Sequence, residues 1–352
     1  MQVNRKQLLD VVRKSNTFYK KKVSLYQLLG CRLSFSSGVL SFRATDLDVE
    51  ITADFKTGDG EPFDVLVEDR KEFQQILTKL KCDEIGLAAS TKSLIISHPK
   101  GEIEIPLSGD EFVAPHLRDA QKTGEFEFDF LEDFQKVATF ASTDDLRPAM
   151  TCVNFATVDG RLEIAATNAH VLAKAVELET AQDYSFKVPA KYHKIVPRGK
   201  VEVYARNGQT IVKFRGENYN VCFKDVDARF PDYNVVIPQE YNSRVKFWKK
   251  DLKGSIDIAL LTTNKQTKKI EIDADQSHIY SQDEDFGKES RTKTKMEIVE
   301  GDDMHVAFNA DYLTKLMAGI ENEEFEMRFL SSNKAVVVKE ENMTFLIMPI
   351  AL

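Results

Sequence analysis

Apolar and polar residues alternate along much of this chain in short bursts, and the bursts recur. After Gly38, the run Val39-Leu40-Ser41-Phe42-Arg43-Ala44-Thr45 has the period of a half-buried strand, and Arg161-Leu162-Glu163-Ile164-Ala165-Ala166-Thr167 repeats it 122 positions later. Each run leaves a two-residue turn signal, Ser37-Gly38 or Asp159-Gly160, so each predicts a hairpin. A third copy, His278-Ile279-Tyr280-Ser281, is degenerate. A second block recurs more clearly. Phe63-Asp64-Val65-Leu66-Val67, Tyr184-Ser185-Phe186-Lys187-Val188 and His305-Val306-Ala307-Phe308 each predict a strand running into a short helix, with Pro189 at a helix start and Asn309 as an N-cap.

Hairpin strands are expected after each of these helices, over 84–105, 201–223 (turn Asn207-Gly208) and 325–350 (turn Ser332-Asn333). Each copy also opens on an amphipathic stretch read as a helix, at 6–19, 131–141 and 247–261. One copy therefore reads as helix, strands, helix, strands: an α+β module with both helices on one side of antiparallel sheets. Polar, turn-rich stretches at 115–124 and 238–243 divide the chain into three tandem modules, 1–118, 119–240 and 241–352. A period near 120 residues is too long for a solenoid; duplicated units of this size point to a pseudo-symmetric assembly, and a closed ring is one way such symmetry ends.

Composition refines this picture. The hydrophobic fraction of 42% supports a core in each module, and no apolar run has the length of a membrane helix. The opening residues enter an amphipathic segment without a secretory apolar region, and the four cysteines stand singly, without a CxxC or a histidine pair. Free thiols in a reducing cytoplasm, no metal, no cofactor and no membrane partner are the expectations. Net charge is −8, yet cations cluster. Arg5, Lys6, Arg13, Lys14, Lys20, Lys21 and Lys22 face Asp10 alone, Lys187, Lys191, Lys194, Arg198 and Lys200 form a second cluster, and Arg244, Lys246, Lys249, Lys250 and Lys253 against Asp251 form a third. The helix at 131–141 breaks the pattern, since acids outnumber bases there. Basic stripes in an acidic chain suit phosphate attraction without base readout, and Lys20-Lys21-Lys22 is the leading candidate.

Catalysis is not indicated. Asp46 and Asp48 share a strand face as an acid–base pair would, but their counterparts are Asn168 and His170, so the duplication keeps no carboxylate pair. Phosphate loop, nucleophile elbow and metal-ligand spacing are all missing.

Five motifs in order carry a family resemblance: Ala44-Thr45-Asp46-Leu47-Asp48-Val49-Glu50-Ile51, Arg147-Pro148-Ala149-Met150-Thr151-Cys152-Val153-Asn154-Phe155, Ala166-Thr167-Asn168-Ala169-His170-Val171-Leu172-Ala173, Arg229-Phe230-Pro231-Asp232-Tyr233 with Val235-Val236-Ile237-Pro238, and the terminal Met348-Pro349-Ile350-Ala351-Leu352. Over essentially its whole length the chain resembles the bacterial DNA polymerase III beta subunit, the sliding-clamp family. The resemblance implies a head-to-tail homodimer closing as a six-domain ring on duplex DNA, cytoplasmic and nucleoid-associated, which tethers the replicative DNA polymerase, the clamp loader and other proteins with a clamp-binding motif. It implies that Arg5, Arg13, Lys14, Lys20, Lys21, Lys22, Lys191, Lys194, Arg198, Lys249 and Lys250 face DNA. It further implies a partner-peptide pocket of Met150, Thr167, His170, Val171, Leu172, Pro231, Val235, Val236, Leu346, Met348, Pro349, Ile350 and Leu352, and an interface with Ile103 and Ile105 on one side and Leu260 and Leu261 on the other. Methionine and branched aliphatics suit a site that repacks around several partners. Val171, Val235 and Ala351 stand where well-known clamps carry arginine, and Ala169 replaces a glycine, so a more hydrophobic motif preference is expected. The alternative is a clamp-like DNA scaffold of a phage or mobile element that stays open or closes as a trimer.

Overall fold

The structure, a computed structural model, describes residues 1–301 and 304–352. It divides into two compact units, residues 1–131 with 192–225 and residues 132–191 with 226–352.

The first unit is built on a twelve-stranded antiparallel sheet, in the spatial order Gln2–Asn4, Glu84–Ala89, Ser93–His98, Gly101–Ser108, Phe63–Val67, Cys31–Ser36, Val39–Thr45, Val49–Lys56, Asn220–Lys224, Gln209–Arg215, Gly199–Arg206 and Gln121–Phe128. The alternation becomes burial: Cys31, Leu33 and Phe35 point into the core while Arg32 and Ser34 do not. Helices Arg5–Ser15 and Arg70–Lys79 pack together in this unit, the first capped by Asn4 and the second by Asp69, whose carboxylate accepts from the Lys71 and Glu72 amides.

The second unit carries a nine-stranded sheet, ordered Ser185–Pro189, Cys152–Val158, Arg161–Thr167, Val171–Glu179, Met343–Ile347, Val336–Glu340, Glu324–Phe329, Ser243–Trp248 and Met296–Glu300. It also holds a four-stranded sheet of Lys288–Lys293, His278–Asp283, Lys269–Asp273 and His305–Asn309. Helices Leu131–Ala138, Lys249–Ala259 and Ala310–Gly319 accompany these sheets, and Asn309 caps the last by accepting from the Asp311 and Tyr312 amides.

The fold is therefore α+β, and all three turn signals of the first two copies form. Ser37-Gly38, Asp159-Gly160 and Asn207-Gly208 each place both residues at positive φ, as a two-residue hairpin turn demands. The turn expected at Ser332-Asn333 is different: glycine is missing there, and only Arg328 and Val337 pair between its flanking strands, across a wider loop. Other expectations shift at their ends. The stretch beginning at Phe247 opens as a strand, because Val245 and Phe247 are buried with period 2, and its helix starts at Lys249. Pro189 ends a strand, and only a short 3-10 helix, Ala190–Ile195, follows. Helix 6–19 tightens into a 3-10 turn after Ser15, and helix 131–141 stops at Ala138. The compact units do not coincide with the sequence copies, because Val221 pairs with Ile51 in the first and Val171 with Ile347 in the second.

Candidate functional site

The two best-matched sequence copies fold to the same turn. Thr45 donates its hydroxyl to the Val49 carbonyl and accepts from the Leu47 amide, while Asp46 Oδ1 accepts from the Asp48 and Val49 amides. In the second unit Thr167 donates to the Val171 carbonyl and accepts from Ala169 N–H, while Asn168 Oδ1 accepts from His170 and Val171. Leu47 (φ 82°) and Ala169 (φ 77°) are both left-handed, a conformation that favours glycine and that the hydrogen bonds of the turn hold in place.

Asp46 is committed to its turn. Its side chain is nearly buried, accepts from the Tyr192 hydroxyl at 3.3 Å and pairs with Lys20 at 3.4 Å. That removes it from any acid–base role, and among the described residues no three His, Cys, Asp or Glu side chains group as a metal site.

The second turn opens onto an apolar groove. Val171 and Leu172 pair across the sheet with Ile347 and Leu346, and the Met348 amide donates to the His170 carbonyl at 2.8 Å. Beneath lies a cluster of Ala165, Leu172, Tyr233, Ala335, Val337 and Leu346, against which Phe230, Ile237, Tyr241 and Met348 pack half-buried. Val171, Leu172, Thr167 and Leu346 are buried and form the bed. Met150, Pro231, Met348, Pro349 and Ile350 are half-buried, and Val235 (78%) and Val236 (46%) are conspicuously exposed. Met150, Phe230 and Pro231, with Arg147, line a mostly apolar cleft of about 400 Å³. Ile350 is held by a hydrogen bond from its amide to the Ala307 carbonyl, whereas Ala351 and Leu352 are exposed. The Tyr233 hydroxyl donates to Glu163, whose other oxygen pairs with Lys174, so this buried carboxylate is engaged at both oxygens.

Beside the groove, and sharing Arg147, lies a polar cavity of about 330 Å³ that sequence reasoning missed. His170 stacks on Tyr312 with ring centres 5.0 Å apart, and Lys315 lines the same wall. Tyr312 and Lys315 are one helical turn apart on Ala310–Gly319, a spacing legible in the sequence; their approach to His170 was not.

The basic candidates fall into different environments. Lys20, Lys21, Lys22 and Arg13 are exposed, and among the described residues only Lys20 of these has an acidic partner, Asp46. Lys14 pairs with Asp10 and lies 5.0 Å from the Tyr219 ring centre. Arg5 turns inward and donates to the Cys82 and Leu77 carbonyls, closing the end of helix Arg70–Lys79. Lys191, Lys194 and Arg198 are exposed on and just after the 3-10 helix Ala190–Ile195. The third cluster is largely matched by acids or carbonyls: Arg244 meets Glu300 and Glu326, Lys246 meets Glu324, Lys249 reaches the Ile320 carbonyl, and Lys250 lies 3.5 Å from Glu323.

Of the expected interface residues, Ile105 is buried in its own unit, Ile103 and Leu260 are half-buried and Leu261 is 74% exposed. Gly101–Ser108 is paired along 101–106 on one side only, since its other side meets Phe63–Val67 just at Leu107 and Ser108. Lys288–Lys293 is an outer strand of the four-stranded sheet, and helix Lys249–Ala259 packs against it.

Known proteins share this architecture. The family models for the DNA polymerase III beta subunit match at both ends, the N-terminal domain over residues 1–113 and the C-terminal domain over residues 234–351. The beta sliding clamp of Bacillus subtilis is 24% identical over 375 residues, covering 99% of this chain and 98% of that protein. The solved DNA polymerase III beta subunit of Thermotoga maritima superposes with a TM-score of 0.86 at 22% identity, covering 100% of this chain and 99% of the other. A sliding clamp from Pseudomonas aeruginosa, solved bound to griselimycin, gives 0.90 at 18% identity with the same coverage. The chain belongs to the DNA polymerase III beta subunit family, the beta sliding clamps, which are non-catalytic processivity factors.

Proposed function

We propose that two copies of this chain join head to tail into a ring of six modules around duplex DNA, and that the apolar groove holds short peptides of the polymerase and other partners. The observation that carries ring closure is a pair of open sheet edges of opposite charge. The open edge at 101–106 bears Glu102 and Glu104 outward, each accepting from a serine on the neighbouring strand. The edge at Lys288–Lys293 bears Lys288, Arg291 and Lys293 against Glu289, with exposed Ile258 on the adjoining helix and exposed Leu261 just past its end. Antiparallel pairing of these edges would satisfy both rows of backbone groups, set acid against base, and bring Ile103 toward Leu260 and Leu261.

Inside the ring, exposed Lys20, Lys21, Lys22 and Arg13, with Lys191, Lys194 and Arg198, supply phosphate contacts; Lys14, Lys20 and Lys250 are partly neutralised by nearby acids, Lys249 reaches a carbonyl, and Arg5 is a structural cap. Contacts to phosphate alone leave the ring free to slide. In the groove, Met150, Leu172, Leu346 and Met348 favour apolar side chains, consistent with a partner motif richer in hydrophobic residues than clamps with arginines at these positions take. Retention on nicked circular DNA with release after linearisation, together with a sedimentation mass of twice the chain, is the expected result. A monomer or trimer, or equal retention on linear DNA, overturns the closed dimer and favours an open scaffold.

A further inference from the structure

The groove is apolar, yet the cavity that continues it is short of negative charge. Lys315 is half-buried on helix Ala310–Gly319 and makes no hydrogen bond or ion pair among the described residues, and removal from water holds its ammonium below the usual lysine range. The one carboxylate at the cavity, Asp144, is already used: it lies 3.7 Å from Arg147 and accepts from the Leu146 amide. Asn168 cannot compensate, because its Oδ1 accepts the His170 and Val171 amides. A partly desolvated cation with no counter-ion is costly on its own and becomes favourable when a carboxylate arrives.

Building on the reading of the groove as a peptide site, we propose that this cavity is a specificity subsite that takes an acidic side chain flanking the apolar residues of the partner peptide, with Lys315 as its cation. Arg147 lines both the apolar cleft and the polar cavity, so a peptide crossing it places an apolar residue on one side and a carboxylate on the other. The stacked His170 and Tyr312 rings form a wall that orients the arriving side chain. A cation at Lys315 thus supplies the polar anchor that Val171 and Val235 do not.

The test uses the full chain and fluorescent hexapeptides of leucine, serine and phenylalanine carrying glutamate at one flank or the other, each compared with its glutamine twin at low salt. The expected result is tighter binding, by about tenfold, of one glutamate peptide over its twin, the scale of one charge-assisted hydrogen bond. Lys315→Met removes that preference while leaving the glutamine peptide within about twofold, and Lys315→Glu transfers the preference to a lysine-flanked peptide. Equal binding of every twin pair to the unaltered chain, or a glutamate preference that survives Lys315→Met, overturns the subsite and leaves the groove standing. Failure of all the peptides to bind overturns the groove reading itself.

Discussion

The turns at 45–49 and 167–171 are one design built twice, and the strands that flank them carry opposite chemistry at matching positions. In the first, Arg43 and Glu50 form a buried ion pair at 2.9 Å, which the segment at 109–120 covers. Arg43 also donates to the Val113 carbonyl and stacks 4.7 Å from the Phe112 ring centre, Glu50 accepts from the His116 amide, and His116 meets the Thr45 hydroxyl. In the second, the same two places hold Ala165 and Leu172, and the covering segment at 226–242 rests on them through Phe230, Tyr233 and Ile237. Charged hydrogen bonds are directional and pin their cover to one place. Apolar contact is not directional, so it leaves a bed on which exposed Val235 and Val236 can settle in more than one way. The difference makes one copy a sealed joint and leaves the other an open apolar bed, the groove proposed to hold partner peptides.

The largest test breaks the sealed joint. Glu50→Ala leaves Arg43 buried without its counter-ion and is expected to lower stability by about 3–5 kcal/mol, the cost of breaking a buried pair, as read by urea denaturation. The double variant Arg43→Ala with Glu50→Leu, which copies the second region, is expected to recover most of that loss. A double variant as unstable as the single one would show that the covering segment, and not the unpaired charge, dominates. Leu172→Ala in the other region should cost about 3 kcal/mol and abolish peptide binding together.

A pH series sharpens the comparison next. Burial, then the charges of Lys224, Arg43 and Arg206, push the His116 imidazole down to about 3, with Asp46 opposing them. The folded state therefore holds His116 neutral where the unfolded chain protonates it, so stability contributed above pH 6.5 is lost as pH falls toward 3, with a slope of up to about 1.4 kcal/mol per pH unit. Burial also raises the Glu50 carboxyl, which acts in the opposite sense, so the difference between the unaltered chain and His116→Leu between pH 6.5 and 5 isolates the histidine. Parallel losses in both proteins would remove His116 from the account.

The smallest effect lies in the turns themselves. Ala169→Gly relieves a left-handed alanine and is expected to raise stability by about 1 kcal/mol, seen as a higher denaturation midpoint at unchanged slope. A lower midpoint would mean that the added freedom of the unfolded chain outweighs the strain.

Much of this molecule was legible before any fold was known, because the signals involved are local. Period-2 alternation marked the strands, and Ser37-Gly38, Asp159-Gly160 and Asn207-Gly208 turn where the left-handed preference of such pairs dictates. The duplication aligned Val39–Thr45 with Arg161–Thr167, and the expectation of a peptide pocket came from family resemblance. Tertiary structure alone decided how charge is spent. It turned Arg5 onto two carbonyls, matched Arg244, Lys246 and Lys250 with acids and Lys249 with a carbonyl, and left Lys315 in one cavity with His170 without a counter-ion among the described residues. It also drew strands from different copies into one sheet, as Val221 beside Ile51 shows. Backbone conformation is set by near neighbours along the chain, whereas the environment of a charge is set by whatever long-range packing brings within a few ångströms of it.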